Sequence, residues 1–207
     1  MPADRINLHT ILHRDDRGRL AKMASRIEEG AVFIYPTETI YGIGGRYDDS
    51  SVFQRILSIK QRKTGNSLIL LGANRAVFSP LHLSFPPAAK RLAEAFWPGL
   101  LTMVLPSNEK PEGIAVRVTD HPFITALARF YHLPIFSTSA NLSGEPYLPD
   151  PDAIYHLFSD RVDFMVDGGI LPPSLPSTVV RFFGDNGVTI VREGCISAAE
   201  IFSIVNQ

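Results

Sequence analysis

The chain has 207 residues, 45% hydrophobic and 20% charged, with a formal net charge of −1. This suits one globular domain with a sizeable core, excludes long-range disorder, and gives no overall pull towards nucleic acid or an anionic membrane, although a local basic face would not register in the net charge. The single cysteine, Cys195, excludes an internal disulfide framework and any multi-cysteine metal site, and suits a reducing compartment.

The first stretch, MPADRINLHTILHRDDRGR, is too charged to hold a secretory apolar core. No later apolar run reaches membrane-spanning length, so a cytoplasmic protein with no membrane contact is expected. Leu20, Met23, Ala24 and Ile27 then fall on one face of a helix over 20–30, which Gly30 is placed to stop. AVFIY (31–35) reads as a buried strand ended by Pro36. Residues 50–60 read as a helix with Ser50 or Ser51 as N-cap, followed by a strand over 67–72. A helix over 86–99 ends at Pro98-Gly99, and strands are expected over 100–106 and 113–118. Next come a helix over 121–131 with Pro122 in its first turn and a strand over 133–140 running into a loop. The remainder reads as helix 151–158, strands 162–169, 177–183 and 187–194, and a capped amphipathic helix over 197–205. The alternation followed by a strand-rich end predicts an α/β layer fold with a mixed sheet. There is no repeat, low-complexity tract or clear linker, so one domain over 1–207 is expected.

Three polar stretches deserve a chemical reading, because open α/β sheets tend to bind ligands where strands end. In YPTETIYGIGG (35–45), Thr37, Glu38 and Thr39 follow a buried strand. The glycines after them read either as a tight turn or as a close approach of backbone to a ligand, and they match neither a dinucleotide fingerprint nor a Walker A loop. In LSIKQRKTGNS (57–67), Lys60, Arg62 and Lys63 stand at a helix end, where cations oppose the macrodipole whether or not they hold a ligand. In STSANLSG (137–144), hydroxyls, an amide and a glycine either satisfy their own loop or donate to a phosphate or carboxylate. Lys60 and Arg62 brought to that loop would make an anion site. No Gly-x-Ser-x-Gly elbow is present. No metal-ligand set is read from the histidines; His121 is taken as a capping or packing residue rather than a ligand, and Phe96 and Trp97 as core.

YPTETIYGIG, LSIKQR, FWPGLLTMVLP, AVRVTDHP, STSANLSG and IVREG together resemble, in order and spacing, the YrdC domain family, the threonylcarbamoyl-AMP synthases. The resemblance spans nearly the whole chain and implies an α/β fold with a YrdC-like twisted mixed sheet flanked by helices and a concave basic surface. It further implies conversion of L-threonine, bicarbonate or CO2 and ATP, with Mg²⁺ and no prosthetic group, into threonylcarbamoyl-adenylate and pyrophosphate. A separate threonylcarbamoyl transferase complex would use that product to modify adenosine 37 of tRNA. By the same resemblance the catalytic set is Lys60, Arg62, Ser139 and Asn141. Ser137 and Arg192 join these four on the nucleotide side, while Thr37, Arg117, Thr119 and Ser177 line the threonine side. Both reactants are anionic, so cations that neutralise and align them should dominate catalysis, and Lys60→Ala should reduce turnover by orders of magnitude with the fold intact.

Two departures from the family pattern are Lys63, where proline is common, and Asn66, where longer members carry a histidine. The extra C-terminal domain of those longer members is not expected. The alternatives are a YciO-like paralogue with another activity, against which the intact Ser139-x-Asn141 pair argues, and a non-catalytic module binding tRNA or double-stranded RNA.

Overall fold

Leu20, Met23, Ala24 and Ile27 are all buried, as their spacing requires, and the computed structural model, which describes residues 2–13, 16–61 and 68–206, shows what they pack on. In chain order it runs through β1 (Asp4–Asn7), α1 (Leu8–His13), α2 (Arg17–Glu28), β2 (Phe33–Tyr35), β3 (Gly42–Arg46), α3 (Ser50–Ile59) and β4 (Ile69–Gly72). A 3-10 helix (Arg75–Leu81) leads to α4 (Pro87–Phe96), β5 (Leu101–Leu105), β6 (Ile114–Val118), α5 (Pro122–Leu127), β7 (Ile135–Ser139) and α6 (Pro151–Phe158). The chain continues through β8 (Phe164–Asp167), β9 (Thr178–Phe183), β10 (Gly187–Arg192) and α7 (Ala198–Val205).

Among the described residues ten strands join one mixed sheet in the order β1-β8-β2-β3-β7-β4-β6-β5-β9-β10. β4 and β6 are parallel, with Leu71 beside Arg117, whereas β3, β7 and β4 pair antiparallel. Side chains alternate between faces and partners across a ladder share one. Leu71, Ile135, Tyr35 and Phe33 therefore lie on one face, under α1, α2 and α5. On the other face α3 and α6 cover the β1–β7 half, and α4 and α7 cover the β6–β10 half. Around Arg117 and Thr102 the first face carries polar side chains rather than a helix layer, and there the candidate site forms.

Several expectations are corrected. The N-cap of α3 is Asp49, which accepts from Ser51 N and Val52 N, because a carboxylate one residue earlier reaches the orphan N–H groups better than either serine hydroxyl. α4 stops at Phe96, ahead of a cis Trp97–Pro98 bond. The polar start contains β1 and α1, and 42–46 is a strand rather than a turn. His121 does cap α5, its Nδ1 accepting from Phe123 N at 3.3 Å. Phe96 and Trp97 pack against the core as expected.

Candidate active site

Helix α3 ends on Lys60, and Gln61 after it takes a left-handed φ of 51°, which stops the helix and leaves Lys60 at the C-terminal end of β7. Lys60 is 3% exposed. Its Nζ donates among Ser139 O at 2.5 Å, Asn141 O at 2.7 Å, Asn141 Oδ1 at 3.2 Å and Ser139 Oγ at 3.4 Å. Ser139 Oγ donates to Asn141 Oδ1 at 2.5 Å, and Asn141 Nδ2 to Glu145 O at 2.5 Å. The Lys60 carbonyl accepts from Ser143 N at 3.0 Å. The loop after β7 is thus wrapped around one ammonium, and the side chains of Ser139 and Asn141 satisfy their own loop and the Lys60 cation.

Ser137 lies on the same face of β7, two residues before Ser139, and its Oγ accepts from Tyr35 Oη at 2.7 Å. Tyr35 reaches it by lying across β3. A Cβ on Gly44 would stand 2.9 Å from the Tyr35 ring and 2.7 Å from Phe136 O, and one on Gly42 3.0 Å from the ring. Gly42 and Gly44 therefore make room for a buried tyrosine. Burial raises the Tyr35 phenol far above its ordinary pKa, so it remains a donor.

The turn after β2 is closed by Thr37, whose Oγ1 donates to Ile40 O at 2.7 Å and accepts from Thr39 N and Ile40 N at 3.2 Å. It holds Glu38 over the end of β6. Glu38 Oε2 accepts from Arg117 Nη2 at 2.7 Å, and Oε1 accepts a very short bond from Thr119 Oγ1. Arg117 Nε donates to Gly99 O at 2.8 Å, and Thr119 Oγ1 accepts from His121 N at 3.1 Å. The Arg117 side chain is 7% exposed and that of Glu38 22%, so the carboxylate is on the solvent side of the ion pair.

Register carries the site further. Met103 pairs with Val116, which puts Thr102 beside Arg117, and Thr102 Oγ1 lies 2.9 Å from Ser177 Oγ. Arg192 donates to Ser177 O from Nη2 at 2.8 Å and from Nε at 3.3 Å. Thr178 Oγ1 accepts from Gly194 N and Ile196 N and donates to Ile196 O, pinning the loop after Arg192 against the start of β9. Tyr41 does the same at the other end of the proline-rich loop, donating to Gly169 O and accepting from Gly168 N. Burial pushes its phenol up to about 12.

Of the residues the sequence assigns, Lys60, Ser139, Asn141 and Ser137 meet at the end of β7. Thr37, Arg117 and Thr119 meet around Glu38, and Ser177 and Arg192 meet beside Thr102. Arg62, Lys63 and Asn66 lie outside the described residues. Glu38 and Thr102 were not assigned; a carboxylate within a hydroxyl run signals little alone, and only strand register reveals Thr102. The histidine reading passes over one His-x-x-x-His pair, His9 and His13, whose rings are 3.8 Å apart on α1. Among the described residues no three His, Cys, Asp or Glu side chains are grouped to hold a metal, and no helix is long and apolar enough to cross a membrane.

The Sua5/YciO/YrdC family model, described as telomere recombination, matches residues 25–194. A relative from Bacillus subtilis (strain 168), named threonylcarbamoyl-AMP synthase, is 33% identical over 90% of this chain and 56% of its own length. One of the same name from Pseudoalteromonas atlantica is 34% identical over 87% of this chain and 98% of its own. The chain thus spans little more than half of the first relative and nearly all of the second. Pyrococcus abyssi Sua5, solved in complex with L-threonine, superposes with a TM-score of 0.85 at 28% identity over 99% of this chain and 61% of its own. Escherichia coli YciO gives 0.81 at 25% identity over 96% and 98%. With a family match over residues 25–194, the chain belongs to the Sua5/YciO/YrdC family.

Proposed function

We infer that this protein is a threonylcarbamoyl-AMP synthase, joining L-threonine, bicarbonate or CO2 and ATP into threonylcarbamoyl-adenylate with release of pyrophosphate. The observation that carries the reading is the gathering of Lys60, Ser139 and Asn141 at the end of β7, with Arg117 paired to Glu38 and Arg192 to Ser177 on strands of the same sheet. The relatives' printed name and the threonine bound to the Pyrococcus abyssi protein support it.

The reaction needs two steps. The threonine amine adds to CO2 to give a carbamate, losing a proton. A carbamate oxygen then attacks the α-phosphorus of ATP, and pyrophosphate leaves. Nucleophile and phosphate are both negative, so fixed cations and N–H or O–H donors lower the barrier by neutralising and aligning them. Lys60, Arg62 and Arg192 would meet the phosphates and the carbamate, with Ser137, Ser139 and Asn141 orienting the nucleotide. Thr37, Arg117, Thr119 and Ser177 would form the amino-acid side. Mg²⁺ would arrive on the triphosphate, a role that asks for no metal-binding group from the chain. The product would pass to a tRNA-modifying threonylcarbamoyl transferase complex in the cytoplasm.

The test is pyrophosphate release with L-threonine, bicarbonate, ATP and Mg²⁺. Release that depends on both threonine and bicarbonate is expected. Nucleotide binding without threonine-dependent release would point to a YciO-like paralogue, and tight, salt-sensitive RNA binding with no release to a binding module.

A further inference from the structure

We propose that Glu38 receives the α-ammonium group of the amino-acid substrate and is the charged half of amino-acid recognition. This rests on the reading above for the identity of the substrate and deepens it at the same site.

The argument begins with charge. Every reactant in that chemistry brings negative charge: a carboxylate, bicarbonate and a triphosphate. A carboxylate placed among the cations that must hold them weakens anion binding unless it meets something positive. The only cationic group on any of the organic reactants is the amino acid's ammonium. Glu38 is nevertheless fixed at the site, on a turn locked by three hydrogen bonds to the Thr37 hydroxyl.

Geometry supplies the rest. Arg117 uses Nη2 on Glu38 and Nε on Gly99 O, and is more deeply buried than its partner. Glu38 therefore turns its open side to solvent and to the uncovered face of the sheet. Each carboxylate oxygen has taken one donor, Arg117 on Oε2 and Thr119 on Oε1. An ionised carboxylate offers about four acceptor positions, so about two remain for an incoming ammonium. Thr119 on Oε1 and Thr37 on the same turn are the hydroxyls beside Glu38. His121 is held below its ordinary pKa by burial and spends Nδ1 on the α5 cap, so it does not compete as a cation. A salt-bridged carboxylate that served only to hold Arg117 would not distinguish an amine from a hydroxyl; a carboxylate that receives the ammonium must.

The experiment measures, by calorimetry on the full chain, affinity for L-threonine, for the 2,3-dihydroxybutanoate of matching configuration (a hydroxyl in place of the ammonium), and for ATP. The wild type is expected to prefer threonine. Glu38→Gln is expected to lose about 10- to 100-fold in threonine affinity, to bind the dihydroxy acid as before, and to keep ATP affinity within about twofold. Glu38→Asp, which keeps the charge but withdraws it, should retain a reduced preference for threonine. Equal losses for both acids in Glu38→Gln would show that Glu38 acts only by holding Arg117, and no loss for either would remove it from recognition; each overturns the proposal. Threonine binding to the wild type without pyrophosphate release would sink the synthase reading alone. Release of pyrophosphate with an unchanged Glu38→Gln would sink this proposal alone.

Discussion

Lys60 holds the loop after β7 and, in the proposed function, also meets the phosphates, so substitution would remove both roles. The sequence suggests a cation that binds phosphate and can be deleted without harm to the fold. Its 3% exposure and its hydrogen bonds to Ser139 O and Asn141 O revise the second half of that expectation. A buried acceptor left without its donor costs about 1–3 kcal/mol. Lys60→Ala is therefore expected to lower unfolding stability by about that amount in urea titration, as well as to reduce single-turnover pyrophosphate release by at least about 100-fold. A variant of wild-type stability would show the loop after β7 to be held by other contacts. Glu38 illustrates the reverse case. It lies in a hydroxyl-rich run whose chemistry is visible, but its partners Arg117 and Thr119 are 79 and 81 positions away, and no local pattern connects them.

At the scale of elements, hydrophobic period was a sound guide wherever an element carries its own apolar face or run, whatever that face packs on. The helix faces of α2, α3 and α7 and the apolar run of β5 were legible for that reason. β3 was not, because Gly42, Gly44 and Gly45 weaken strand propensity, and the reason for two of them is a ring contributed by another strand. β1 was not either. It is a four-residue edge strand with charged residues, defined only by pairing with β8 some 160 residues later. Gly44→Ala tests this account: its Cβ would meet backbone and the Tyr35 ring, an overpacking expected to cost about 1–3 kcal/mol by chemical denaturation. Gly18→Ala, whose Cβ meets nothing nearer than 3.9 Å, should be neutral or stabilising in the same assay.

For the whole molecule, acid should act partly through His121. Burial, the largest cause, and Arg117 hold its imidazole below the ordinary value, while Glu38 and Asp120 pull the other way. The unfolded chain then takes up a proton that the folded chain refuses. The contribution is complete above the ordinary histidine range and is lost as pH falls through it towards the lower folded value. Protonation would also end the cap on α5, worth about 1 kcal/mol. The stability difference between wild type and His121→Asn is expected to shrink between pH 7.5 and 5.5; a constant difference would place the acid sensitivity elsewhere. Finally, the sheet order has a meaning for the site as a mechanical object. β1–β4 with β7 and β8 form one slab and β5, β6, β9 and β10 another, joined in the sheet by the three registered pairs of β4 and β6. Lys60, Ser137 and Ser139 belong to the first slab, and Arg117, Ser177 and Arg192 to the second. Rotation about that ladder would open or narrow the gap between the two sets of proposed ligand groups while leaving the distances within each set unchanged. The turn carrying Glu38 starts in the first slab and bonds Arg117 and Thr119 of the second, a tie-bar across the seam that would resist such a rotation.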